Sequence, residues 1–83
     1  MSSREKLLQK ILSGSRNVRF QDMARLVTAF GFRLSRTQGS HHIFTHAGIS
    51  ELINLQEVHG QAKPYQIKQF LNLVERYNLR MED

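Results

Sequence analysis

The sequence predicts an α+β fold in which a three-stranded antiparallel sheet packs against helices, in the order α-α-β-β-β-α. Three observations predict it. Apolar residues recur at three- and four-residue spacing in three separate stretches, the period changes to two between residues 32 and 56, and glycines stand where the period changes. At 83 residues, with no cysteine, the chain fits a single domain over residues 1–83 that must be stabilised by one core, without disulfides.

The first helix is expected over residues 4–12. Leu7, Leu8, Ile11 and Leu12 form one stripe, Arg4, Lys6, Gln9 and Lys10 lie opposite, and Ser13-Gly14-Ser15 ends it. A second helix is expected from about Arg19, with Asp22 in its first turn and Val18 packing on Met23 as a hydrophobic staple. Its stripe is Phe20, Met23, Val27 and Phe30, and Gly31 suits the left-handed position that closes a helix.

From Phe32 the pattern alternates. Phe32 and Leu34 interleave with Arg33 and Ser35, Thr37-Gln38-Gly39-Ser40 supplies a turn, and His41–His46 returns as the second arm of a hairpin. Ala47-Gly48 and Ser50 mark another turn, and residues 51–56 give a third strand in which Ile53 and Leu55 share a face. Residues 60–63 read as a linker. Pro64 has the fixed φ of a first helical position, and Ile67, Phe70, Leu71, Val74 and Tyr77 form the last stripe, with Asn78 as its stop. Helices on one side of the sheet leave its other face open to solvent or a partner, and that face is where function is expected.

Composition narrows the function classes. The net charge is +5. The first forty residues carry eight Lys or Arg against Glu5 and Asp22, a net of +6, whereas the remainder nets −1. A basic half beside a near-neutral half is the footprint of a polyanion binder, because each neutralised phosphate releases counterions. The absence of cysteine excludes a thiolate zinc site and a cysteine nucleophile, and no Gly-x-Ser-x-Gly elbow is present for a serine hydrolase. No apolar run approaches the roughly 20 residues of a membrane span, and residues 1–12 mix charged and apolar side chains unlike a signal peptide. The expectation is a soluble cytoplasmic protein with no membrane role.

Three of the four histidines, His41, His42 and His46, fall within six residues, and His59 is the fourth. A shared metal ion is disfavoured: residues four apart on a strand are about 13 Å apart, whereas zinc needs each nitrogen at about 2 Å. Strand neighbours such as His41 and His42 point to opposite faces. If Phe44 points inward, His42 and His46 lie on the helix side and His41, Ile43 and Thr45 face outward. If Ile43 points inward the assignment inverts, and a bulge at Gly39-Ser40 has the same effect. An imidazole titrating near pH ~6.5 both accepts and donates protons at neutral pH. RNA carries its own nucleophile. A base that removes the 2′-hydroxyl proton lets that oxygen attack the adjacent phosphorus while nearby cations stabilise the developing charge, with no metal or cofactor implied. The candidate cations are Arg33, Arg36 and Lys68. Gly39 permits a positive φ in the turn, and Ser40 can donate to a phosphate oxygen or simply close the turn.

The stretch Gly31-Phe32-Arg33-Leu34-Ser35-Arg36-Thr37-Gln38-Gly39-Ser40-His41-His42-Ile43-Phe44-Thr45-His46 resembles the HicA family of toxin ribonucleases. Members read as a helix ending in Gly-Phe or Gly-Trp, a short strand, Gly-Ser-His, an aromatic-containing strand with a further His, a third strand and a closing helix. The resemblance covers residues 20–79. It implies a double-stranded-RNA-binding-domain-like fold, metal-independent cleavage of mRNA through a hairpin histidine, and neutralisation by a HicB-type antitoxin. The implied catalytic residue is His41, with His42 the weaker candidate and Gly39 and Ser40 shaping the turn. The first seventeen residues then read as an N-terminal helical extension to a HicA-like core over residues 18–80, and His59 only loosely answers a histidine found after the third strand of many members. Two rivals use the same features: a noncatalytic RNA-binding module on the basic face, and an interaction domain that docks a protein through the open face or a strand edge.

Overall fold

The computed structural model describes residues 3–14 and 17–82. Helix α1 (Ser3–Leu12) packs on α2 (Phe20–Ala29), as the two apolar stripes require. Ile11 is buried and Leu7 and Leu8 pack partly against the core, but Leu12 is 63% exposed. A ten-residue helix packed mainly on α2 buries a narrower stripe than its spacing suggests. Ser15 of the expected helix stop lies outside the described residues.

Helix α2 buries Phe20, Met23, Leu26, Val27 and Ala29, with Val18 fully buried just ahead of it. It ends as expected: Gly31 adopts φ 95°, and its N–H donates to the Thr28 carbonyl at 3.0 Å.

The sheet is antiparallel in the order β1 (Phe32–Gln38), β2 (His41–His46), β3 (Ile53–Val58), β4 (Gln61–Ala62). It has four strands, not the expected three, and the fourth stands where a linker was expected. Two residues carry no readable period. This strand is made by tertiary contacts: the Ala62 N–H donates to the Val18 carbonyl at 3.0 Å, the Phe20 N–H donates to Gly60 at 2.9 Å, and Ala62 is buried. The lead-in to α2 thereby covers the outer edge of β4. Strand β3 also starts later than residues 51–56 suggest, because Glu51 accepts from the Tyr77 hydroxyl at 2.7 Å and pairs with Arg76 at 3.6 Å instead of joining the ladder.

Helix α3 (Pro64–Arg76) carries Pro64 in its first turn and buries Gln66, Ile67, Phe70 and Leu73. The expected stripe is displaced toward Leu73: Leu71 and Val74 are half-buried and Tyr77 is 38% exposed. Gln66 accounts for the rotation. Its Oε1 accepts the Gln56 N–H at 2.7 Å, supplying a ladder partner where β3 runs on beyond β4. Phe70 meets the edges of Phe30 and Phe32 at 5.3 and 6.3 Å between ring centroids, knitting α2, β1 and α3 into one core. Each large side chain buried there contributes about 1.5–3 kcal/mol. Among the described residues no helix is long and apolar enough to cross a membrane.

Candidate active site on the open sheet face

Strand parity decides which side chains meet. Phe44 is 4% exposed and faces the helices with Ile53 and Leu55, so β2 adopts the alternative that puts His42 on the helix side and His41, Ile43 and Thr45 on the other. His41 and His42 are both partly buried, and neither is sealed.

Strand β1 brings the arginines to the same face by an irregularity. Pairing runs from Phe32 opposite His46 to Leu34 opposite Phe44, then skips Ser35 and resumes with Arg36 opposite Ile43. In an unbroken strand Arg33 and Arg36, three apart, would point to opposite faces; the extra residue returns Arg36 to the side of Arg33. The bulge therefore sits at Ser35 and not at Gly39-Ser40. Those two residues form a two-residue turn between paired Gln38 and His41, and Gly39 takes φ 57° there. The open face is thus made by Arg33 and Arg36 of β1, His41 and Ile43 of β2, and Asn54 and Gln56 of β3. Both arginines are exposed, and neither is held in an ion pair with a described residue.

The imidazoles differ in how they are held. His41 Nδ1 lies 3.1 Å from Asn54 Oδ1, a side-chain to side-chain bond on the open face. His42 Nδ1 donates to the Ser40 carbonyl at 3.2 Å, and its ring tilts over Phe20 with centroids 4.5 Å apart. His46 Nδ1 accepts the Gly48 N–H at 2.8 Å, and its ring meets Phe32 edge-on at 5.0 Å. His59 is exposed in the turn between β3 and β4, with φ 52°, outside this face. The Ser40 carbonyl also accepts the Glu57 N–H at 3.0 Å, and Ser40 Oγ accepts from Gln56 Nε2 at 3.5 Å, so the turn beside His41 is tied to β3.

Lys68 stands elsewhere. It is exposed on α3 and lines a depression of about 390 Å³ with Ile11, Tyr65, Ile67 and Leu71, between α1 and α3. A larger depression, about 660 Å³, runs along α2 past Arg4, Gln21, Arg25 and Thr28 and is not lined by a histidine. Among the described residues no three His, Cys, Asp or Glu side chains converge as metal ligands would. At the far end of α3 the hydrogen bond to the Glu51 carboxylate holds the Tyr77 phenol above its ordinary value.

Asn54 and Gln56 escaped the sequence reading. Their signal was present, since placing Ile53 and Leu55 on one face leaves the two amides together on the other.

Fold and site together define a small α+β protein whose sheet, packed against the described helices on one face, sets a side-chain-held imidazole beside exposed arginines on the other. Residues 20–75 match the family model described as HicA toxin of bacterial toxin-antitoxin. That stretch runs from the first residue of α2 to the last turn of α3, and the chain belongs to this family of toxins. The chain matches no curated protein and no solved structure.

Proposed function

We propose that this toxin is a metal-independent endoribonuclease, an mRNA interferase, in which His41 is the general base. The observation that supports it most is the shared placement of His41, Arg33 and Arg36 on the sheet face opposite the described helices. An unprotonated His41 nitrogen takes the proton of a ribose 2′-hydroxyl, the 2′-oxygen attacks the adjacent phosphorus, and the bond from phosphorus to the 5′-oxygen breaks. The leaving oxygen takes up a proton from solvent, and the products end in a 2′,3′-cyclic phosphate and a 5′-hydroxyl. Arg33 and Arg36 offset the charge that builds on the phosphate, and Gly39 and Ser40 let the backbone approach it. His42 is the second candidate base, reached around the same turn, and Lys68 is a more distant phosphate contact.

The order α2, β1, β2, β3, β4, α3, with the described helices on one face and β4 only two residues long, supports a double-stranded-RNA-binding-domain-like core over residues 18–80, to which residues 1–17 are an addition. The place of action is the cytoplasm, and the partner is a HicB-type antitoxin. The test is cleavage of an RNA and of the same strand with 2′-deoxy sugars, each with and without a chelator. RNA alone should be cut, at a rate the chelator leaves unchanged, and His41→Ala should lower that rate about 10²- to 10⁴-fold. Equal cutting of the deoxy strand overturns the mechanism. Growth arrest on induction, relieved by co-expressing an adjacent HicB-like reading frame, checks the partner.

A further inference from the structure

We infer that Asn54 is a positioning residue that fixes the tautomer of His41, leaving Nε2 as the proton-accepting nitrogen; this rests on the reading of His41 as the base. A neutral imidazole has one N–H and one lone pair, and a carboxamide oxygen only accepts. With Asn54 Oδ1 at 3.1 Å from His41 Nδ1, the proton belongs on Nδ1 and the lone pair on Nε2. An imidazole free in water prefers the opposite arrangement. Its basic nitrogen is then Nδ1, the one close to the main chain and the harder for a ribose to reach. Asn54 turns the base outward.

The surrounding register explains why the carboxamide reaches His41. Directly across from Asn54 is Ile43, which offers no hydrogen bond, whereas His41 is the diagonal neighbour on the same face. Gln56, directly across from His41, is directed to Ser40 Oγ and leaves the ring to Asn54. The other two hairpin imidazoles are held at Nδ1 by the main chain, one as donor and one as acceptor, so His41 is the one among them held by a side chain. The choice of an amide also has a consequence. A carboxylate in its place would favour the imidazolium and reduce the unprotonated fraction at neutral pH, whereas the neutral amide orients the ring without adding charge. Arg33 and Arg36 are the charged neighbours on this face. When Nε2 takes the 2′-hydroxyl proton, the bond from Nδ1 to Asn54 persists, so the ring need not turn during the step.

The test reads the tautomer by long-range ¹H–¹⁵N correlation in the ¹⁵N-labelled full chain, apart from activity. Wild type should show His41 with its proton on Nδ1, and Asn54→Leu should move the balance toward Nε2–H. Cleavage by Asn54→Leu should fall about 10- to 100-fold in kcat with KM little changed, as for an interaction that matters in the transition state. Asn54→Asp, a near-isosteric control for folding, should keep the Nδ1–H tautomer and move the acidic limb of the pH–rate profile upward by about one pH unit. That shift shows that residue 54 lies against the base, and the tautomer change in Asn54→Leu is the readout a merely structural role would not give. Finding Nε2–H in wild type, or no tautomer change in Asn54→Leu, overturns the inference. An Nδ1–H tautomer in a wild-type protein that cuts no RNA instead fails the nuclease reading while bearing out the orientation by Asn54.

Discussion

His41 and His42 are adjacent in the chain, yet they belong to two sides of the sheet that are held together by different forces. On the helix side β2 presents His42 and Phe44 among Phe20, Ile53 and Leu55, where burial fixes the side chains and the His42 ring stands 4.5 Å from Phe20. On the open side it presents His41 and Ile43 beside Arg33, Arg36, Asn54 and Gln56, where a hydrogen bond fixes the imidazole and the arginines are exposed. One strand therefore stabilises the fold through its even-numbered residues and, in the proposed mechanism, supplies the base through its odd-numbered ones. Stability and activity should separate by parity along six residues.

The largest separation is expected at the two histidines. His41→Ala should cost cleavage the full contribution of a general base, with little change in thermal stability. His42→Ala should do the reverse, losing a ring contact of about 0.5–1.5 kcal/mol while retaining most activity. Kinetics and denaturant melts on the two variants decide it, and the comparison breaks if the losses are interchanged.

The next separation is at the following pair. Phe44→Ala removes a buried aromatic and should lower unfolding stability by about 3–5 kcal/mol, a large part of what a chain this size possesses. Thr45→Ala, one residue on and exposed, should change it by less than about 0.5 kcal/mol. Equal melts for the two variants would show that the open face is not open.

These contrasts follow from features of unequal legibility. Helix α2 was readable nearly to the residue, because Phe20, Met23, Val27 and Phe30 give a strong helical period and Gly31 closes it in the left-handed region. Strand β2 was readable as His41–His46 because turn residues bound it on both sides. Strand β4 was not, since its pairing depends on Val18 and Phe20, some forty residues upstream, and two residues show no period. Nor was the inward turn of Gln66, which sequence statistics place at the surface and which only the unpaired N–H of Gln56 draws inside. In the candidate site, the turn and histidines were conspicuous, whereas Asn54 became visible only when register put it diagonal to His41. Lys68 illustrates the converse: its charge and its place in the closing helix were legible, and its separation from the hairpin histidines, in a depression between α1 and α3, was not.

A smaller effect tests the charges of the open face. Arg33→Gln and Arg36→Gln should each weaken RNA binding a few-fold and reduce the slope of log affinity against log salt by about 0.7, the share of one phosphate on a single strand. Both should leave the melting temperature nearly unchanged, since neither side chain is buried. Lys68→Gln is the comparison on the helix side, and a loss there as large as at Arg36 would move the RNA path around the molecule.

The smallest expected effect belongs to the bulge, and it sharpens the parity argument most. Arg33 and Arg36 share a face only because Ser35 is an extra residue opposite Ile43. Removing Ser35 makes the ladder regular without changing sides: Arg33 stays opposite Thr45, Leu34 opposite Phe44, and the former Arg36 opposite Ile43. A Ser35 deletion should therefore retain RNA affinity within about two-fold and keep the same salt slope, losing only the added local twist that a bulge gives its strand. If Arg36 owed its position to the bulged backbone and not to register, the deletion would turn it toward the helices. The slope would then fall by one phosphate's share, and the salt titration that finds no such fall is what ties the arginine pair to strand parity.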